Sequence, residues 1–388
     1  SWAPNAILFT YRYDDAYPLW YEQEVEGFHT DVRVVNLSLL SSDWDMKQMM
    51  QPVNDAAALP IEIDPNKVKD GVRDVIYYQD HQIPEHIDIQ NLLAIMLSDN
   101  QQNMVQLQSG EYVNLLPTKK MQLQVNRDAV LANNAVPKQW QDAIVDTMQW
   151  DYSMEYVSRA ELSILSIMEN NNWERPIYFT TTTPSDNYIG LDRFLVSEGF
   201  ALRLMPVALS QSEEMGGPVA NAEQVYDNIM NKYTWGNIAG SSYLDPDSYR
   251  YISMYAGSIF GETAQDLLLM GEQKKAKDVV NNAYTNLPNR VYTMGEVLSY
   301  VPLVDVMYKV GESTKANEIV KRNLQYIREN LQYYMAVAET KPNLEYRNMR
   351  FGLASIQRYQ NLLKTTNQKE LIAEADKLFE TYKYLYGE

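Results

Sequence analysis

The chain contains no cysteine, which removes disulfides, thiolate metal sites and cysteine nucleophiles at once. Histidine is nearly as scarce, with only His29, His81 and His86. The latter two stand five apart across Pro84, a spacing that no continuous helix brings onto one face. A metal centre or a histidine triad therefore has no support, and no metal is expected. Long apolar runs are missing too: a stretch such as 91–97 stops far short of the roughly 20 residues that a membrane helix needs. No Gly-x-x-x-x-Gly-Lys-Ser/Thr motif exists to cradle phosphates, and no Gly-x-Ser-x-Gly elbow to present a nucleophile. After the first strand, where a dinucleotide fingerprint would place glycines, the chain reads Thr10-Tyr11-Arg12-Tyr13.

Positive charge is in short supply as well. The chain of 388 residues carries 33 Lys+Arg against 51 Asp+Glu, a net charge of −18. The deficit is uneven: residues 1–210 hold 14 basic and 29 acidic side chains, residues 211–388 hold 19 and 22. Two regions with different surfaces follow, in keeping with a length that suggests two or three domains. A field of this sign excludes nucleic acid as a partner and disfavours an anionic membrane surface. What is abundant is tyrosine, 29 residues, with 7 tryptophans. Such rings with a polar edge suit buried cores, and equally carbohydrate or peptide surfaces.

The pattern along the chain predicts an α/β domain over 1–210, mainly parallel and Rossmann-like, with an irregular insertion near 52–150. A strand over 6–10, a helix over 18–26 stopped by Gly27 and an almost continuously apolar strand over 32–40 open it. A helix begins at Asp43, and a hairpin is expected from 112–116 and 121–125. A helix over 161–168 stopped by Asn170-Asn171-Asn172, a strand over 175–180, a short helix over 191–196 and a strand over 201–207 complete the alternation. Asn36-Leu37-Ser38 matches a glycosylation acceptor but falls in a strand read as buried, so it is taken as chance. Residues 208–222 read as a linker. From 223 to 388 the pattern is helical, and Leu269-Met270-Gly271-Glu272 with Ala276 recurs forty residues on as Lys309-Val310-Gly311-Glu312 with Ala316. This is helical-hairpin grammar close to the tetratricopeptide pattern. The last pair, 346–363 and 369–384, lacks the glycine, as terminal repeats often do.

Two segments are candidate binding surfaces. Asp14 and Asp15, with Arg12, Tyr17 and Trp20, follow the first strand, where open α/β sheets bind ligands. The carboxylates suit a network of sugar hydroxyls or a divalent cation, or one of them the general base of a self-sufficient carbohydrate-active enzyme; capping the following helix is the stronger reading on residue type. Trp173 and Arg175 precede a later strand, either anchoring the connection or lining a pocket. Trp44 completes the set of binding candidates.

Residues 5–10, Pro18-Leu19-Trp20-Tyr21, 23–27, 30–40 and Asp43-Trp44 together resemble a large family of Bacteroidetes membrane proteins labelled as a domain of unknown function, DUF2723. Residues 172–179, 190–192 and 198–200 resemble its later motifs. Members look like multi-span glycosyltransferases akin to protein O-mannosyltransferases. The resemblance implies that this chain, which starts at Ser1 without a leader, is the soluble half of a longer protein on the periplasmic face of the inner membrane. It implies a lipid-linked sugar donor for the whole protein and no cofactor in this part. Its partners would be the membrane half of the same polypeptide and an acceptor protein or glycan, and no catalytic residue would lie in this half. One departure stands out. The family's turn usually reads Asn-Gly-Asp-Asn-Asp-Thr, and of Tyr11-Arg12-Tyr13-Asp14-Asp15-Ala16 only Asp15 keeps the family residue.

Overall fold

The computed structural model of the chain describes residues 2–209, 218–241, 243, 245, 250–338 and 346–386. Its first elements are β1 (Ile7–Thr10), α1 (Tyr13–Glu24), β2 (Arg33–Asn36), α2 (Leu37–Leu40) and α3 (Asp43–Met49). Every residue of β1 and β2 is buried, as central parallel strands require. Side chains alternate across the sheet: Ile7, Phe9 and Val35 enter one core, while Ala6, Leu8 and Val34 enter another with Ala16 of α1.

The strand expected over 32–40 ends four residues early. The Asn36 side chain accepts from the backbone N–H groups of Ser38 and Leu39 and so caps α2. The helix expected from Pro18 instead begins at Tyr13 and runs through Pro18. The proline is exposed, and its missing N–H leaves the carbonyl four residues before it without a helical donor. Gly27 follows this helix with φ +69°, in the left-handed region that glycine enters freely.

The chain continues through β3 (Val75–Tyr78), β4 (Ile87–Asp88), α4 (Ile89–Met96), β5 (Met104–Gln106), β6 (Tyr112–Leu116) and β7 (Lys120–Gln124). Then come α5 (Arg127–Ala132), β8 (Thr147–Asp151), β9 (Tyr156–Ser158), α6 (Arg159–Asn170), β10 (Ile177–Thr180), β11 (Leu195–Ser197) and β12 (Ala201–Leu204). Among the described residues the strands form sheets of five, four and three, ordered β11-β12-β10-β1-β2, β5-β6-β3-β9 and β4-β7-β8. In the largest, β1 pairs in parallel with β2 and β10, while β12 and β11 add an antiparallel edge.

Two expectations fail here. Residues 112–125 do not form a hairpin: β6 pairs with β3 and β5, and β7 with β4 and β8. The carbonyls of Leu116 and Pro117 accept from Gln79 and His81, so the chain is held along the first sheet before it crosses to the next. Nor is 191–196 a helix. After one 3-10 turn at Asp192–Phe194, the buried Leu195 and Val196 extend into β11.

α6 is buried over Arg159–Met168 and opens with a capping box between Ser158 and Glu161. It stops where expected, at Asn171 and the left-handed Asn172.

The chain divides into two compact units, Trp2–Val219 and Ala220–Glu388. Of the linker expected over 208–222, residues 210–217 lie outside the described residues. The second unit is helical: α7 (Ala222–Asp227), α8 (Arg250–Leu269), α9 (Gln273–Asn286), α10 (Met294–Lys309), α11 (Ser313–Ala338), α12 (Tyr346–Thr365) and α13 (Lys369–Tyr382). An α/β unit followed by a helical one is the observed fold.

The repeated glycines end α8 and α10 in the same way. Gly271 (φ +81°) donates to Leu268 and Glu272 to Leu267; Gly311 (φ +83°) donates to Tyr308 and Glu312 to Met307. This paired closure satisfies carbonyls that a helix end leaves open. The third hairpin makes the same closure with Asn367 (φ 56°) in the glycine's place: Asn367 donates to Lys364 and Gln368 to Leu363.

Candidate functional site

The carboxyl ends of the parallel strands gather a polar cluster. β10 ends at Thr180, whose hydroxyl oxygen lies 2.9 Å from that of Thr183 and accepts from Thr182 at 2.9 Å. β1 runs through Thr10 and Tyr11 into Arg12, the extended residue that precedes α1. Because α1 starts at Tyr13, Asp14 and Asp15 lie in its first turn, where the helix dipole favours negative charge. The Arg12 guanidinium sits 3.3 Å from Asp14. The Thr182 hydroxyl and the Arg12 backbone lie beside the Asp15 carboxylate and favour its charged form.

Burial raises the Asp15 pKa and the charge of Asp14 adds to the rise, against the lowering effect of those two neighbours. One of its oxygens, Oδ2, is buried with no hydrogen-bond partner. A carboxyl group in that state accepts readily from a hydroxyl, and takes up a proton more easily than an exposed aspartate. Ser38, at the start of the neighbouring α2, donates to the carbonyl of Tyr11 at 2.7 Å and fixes the turn behind the cluster.

The outer side of α1 carries rings. Tyr17 lies 6.0 Å from Tyr13 and 5.6 Å from Trp20, centroid to centroid. Tyr13, Tyr17 and Tyr21 are 60%, 56% and 55% exposed, whereas Trp20 leans inward onto the core shared by Leu8 and Val34.

Of the residues singled out from sequence, Arg12, Asp14 and Asp15 thus stand together at the start of α1, while Tyr17 and Trp20 lie further along the same helix. The remainder do not join them. Trp44 is exposed on α3, an element that packs on α2 and α6. Trp173 and Arg175 precede the amino end of β10, the opposite end of the parallel strands, roughly 13 Å away for a strand of four residues. Trp173 takes φ +60° and packs against two cores.

Arg175 is buried and donates to the carbonyls of Asn5, Ala6, Ala57 and Ala58. Burial and the nearby charge of Arg33 bring its pKa down to about 10. Its donors are spent on the protein's own backbone, so it clamps the connection. Sequence reading missed Thr180, Thr182 and Thr183. Their only signal was a run of threonines directly after an apolar strand. Among the described residues no group of three or more His, Asp or Glu side chains is arranged to hold a metal.

An α/β unit with a polar cluster at the carboxyl ends of its parallel strands, followed by helical hairpins, is the class of protein these features define. The chain belongs to the family described as TMEM260-associated domain 2, whose model matches residues 1–223. That stretch takes in the whole α/β unit. No curated protein and no solved structure matches the chain.

Proposed function

We propose that this chain is an extracytoplasmic region of a membrane-embedded, glycosyltransferase-like protein, on the periplasmic face of the inner membrane, and that it positions an acceptor protein or glycan. The observation that carries this reading is the family match over residues 1–223, taken with the resemblance of the same stretch to the Bacteroidetes membrane family. In this reading the membrane half of the same polypeptide holds the lipid-linked sugar donor and the catalytic base. The cluster of Arg12, Asp14, Asp15 and Thr182 then offers hydrogen bonds to hydroxyl groups rather than a nucleophile. The helical hairpins, read as tetratricopeptide-like, supply a second surface for the acceptor. Among the described residues no helix is long and apolar enough to cross a membrane.

The test is binding without turnover. The isolated chain should bind acceptor polypeptide or glycan, and Asp15→Asn should weaken that binding about tenfold, by removing a charged hydrogen-bond acceptor. Equal binding by Asp15→Asn and the parent chain would move the site elsewhere. Absence of any acceptor or glycan binding would favour an envelope interaction scaffold with no sugar chemistry.

A further inference from the structure

The outward face of α1 breaks two rules that surface helices usually keep. Tyr13, Tyr17 and Tyr21 recur every four residues, each more than half exposed, and Val25 and Phe28, at and just beyond the helix end, are exposed too. Side chains four apart stand one above the other on a helix, so from Tyr13 to Tyr21 the rings make a track roughly 12 Å long. A contiguous exposed apolar track of that kind marks an interaction surface.

The second departure is electrostatic. The carboxyl end of a helix carries partial negative charge and is stabilised by cations. α1 has no basic residue in its last turn, and Glu22, Glu24 and Glu26 crowd that end instead. No Lys or Arg occurs between Tyr13 and Arg33 in the sequence. Among the described residues no lysine, arginine or histidine pairs with any of the three glutamates. Glu24 accepts from Asn54 at 2.8 Å, and Glu26 from the Tyr21 hydroxyl at 3.3 Å. Negative charge at the negative end of a helix, uncompensated within the unit, costs stability. Such local violations are expected where a surface is kept for function.

We propose that the outer face of α1 docks a cationic segment of a partner polypeptide, one in which lysine or arginine alternates with apolar residues. Cationic heads sit over the Tyr17 and Tyr21 rings and pair with Glu22 and Glu26, while apolar side chains cover Val25 and Phe28. Charge selects this occupant over the others. A second copy would bring the same glutamates against their like, and an anionic lipid surface is repelled for the same reason. The net charge of −18 steers a cationic partner inward. This inference does not rest on the glycosyltransferase reading, since a cationic peptide can dock here whether or not it becomes an acceptor.

The experiment titrates the full chain into a fluorescein-labelled peptide of alternating lysine and leucine, read by anisotropy at near-physiological salt. Three double variants separate the surface from general acidity, each checked by thermal unfolding. Tyr17→Ser with Tyr21→Ser leaves the charge unchanged. Glu22→Gln with Glu26→Gln removes two charges at the stripe. Glu111→Gln with Asp128→Asn removes two from exposed positions elsewhere. The first two should each weaken binding about tenfold and the third by less than about twofold. Equal weakening by the two charge-removing variants would show nonspecific attraction and overturn the proposal. So would unchanged affinity of the tyrosine variant. Binding of neutral cellohexaose, lost with Tyr17→Ser and Tyr21→Ser and competing with the peptide, would reassign the stripe to glycan.

Discussion

Gly190 shows how narrowly single positions are determined. It has φ +88°, and a Cβ there would lie 2.1 Å from the carbonyl oxygen of Asp151. Gly190→Ala therefore meets a left-handed backbone and a backbone clash together, and should cost more than about 3 kcal/mol in urea unfolding. Gly261 of α8 is constrained by packing alone: an added Cβ would stand 2.3 Å from the Leu303 nitrogen and 2.7 Å from Pro302 of α10. Gly261→Ala should push the two helices apart and cost about 1–3 kcal/mol.

Asp45 behaves in the opposite sense, as a buried charge the fold would be more stable without. Burial pushes its pKa up to about 6, and the Arg33 charge offsets only part of that. The folded protein thus holds this proton more tightly than the unfolded chain. Its contribution is at its most favourable below about pH 4 and declines as pH rises to about 6. Asp45→Asn should therefore stabilise the protein by about 1–3 kcal/mol at pH 7.5, and the gain should fade towards pH 4. A gain independent of pH would assign the effect to packing.

At the scale of elements, the caps of the helical hairpins give a matched set. Gly271 and Gly311 have open space where a Cβ would go, so Gly271→Ala and Gly311→Ala should each cost about 1 kcal/mol, from the left-handed conformation alone. Asn367→Gly, in the same conformation, should be neutral or stabilising by a few tenths. The first two closures were legible because glycine announces them. The third was hidden, since asparagine also serves in ordinary turns.

The same logic explains the other successes and failures. Strands buried on both faces, such as β1 and β10, were readable from continuous apolar runs. The early end of β2 depends on one side chain, Asn36, choosing its own backbone over the ladder. The start of α1 was masked by Pro18, and the partners of β6 and β7 are set by contacts that no local pattern encodes.

Least visible of all were the arginines that organise the irregular stretch after α3. Arg159 of α6 reaches the carbonyls of Ser41 and Val68 and the carboxylates of Asp70 and Asp74. Arg73 serves Asn114, Lys67, Ser98 and Asp99 in the same manner. These links span up to 118 residues of sequence, so spacing gives no hint of them. Arg159→Leu would leave the carbonyl of the buried Val68 unmet and remove the links to Ser41, Asp70 and Asp74, and should cost about 1–3 kcal/mol.

For the whole molecule, the uneven acidity falls on the α/β unit, which also bears the polar cluster at Asp15 and the aromatic stripe of α1. Half of the candidate site was legible, because the residues after a first parallel strand are the natural place to look. The threonines that complete it come from a strand some 170 positions later, through the parallel pairing of β1 with β10. Trp173 and Arg175 stood open between anchor and pocket residue in the sequence, because the two roles share the same composition until their donors are counted.

In the proposed function this chain holds an acceptor while another part of the polypeptide transfers the sugar. The most direct measurement compares glycosyl transfer from a lipid-linked donor by the isolated chain and by the full-length protein in membranes. Acceptor binding without turnover is expected of the isolated chain, and transfer by the full-length protein should fall with Asp15→Asn through weaker acceptor affinity. Turnover by the isolated chain, abolished by Asp15→Asn, would contradict this reading and place the catalytic carboxylate at the start of α1.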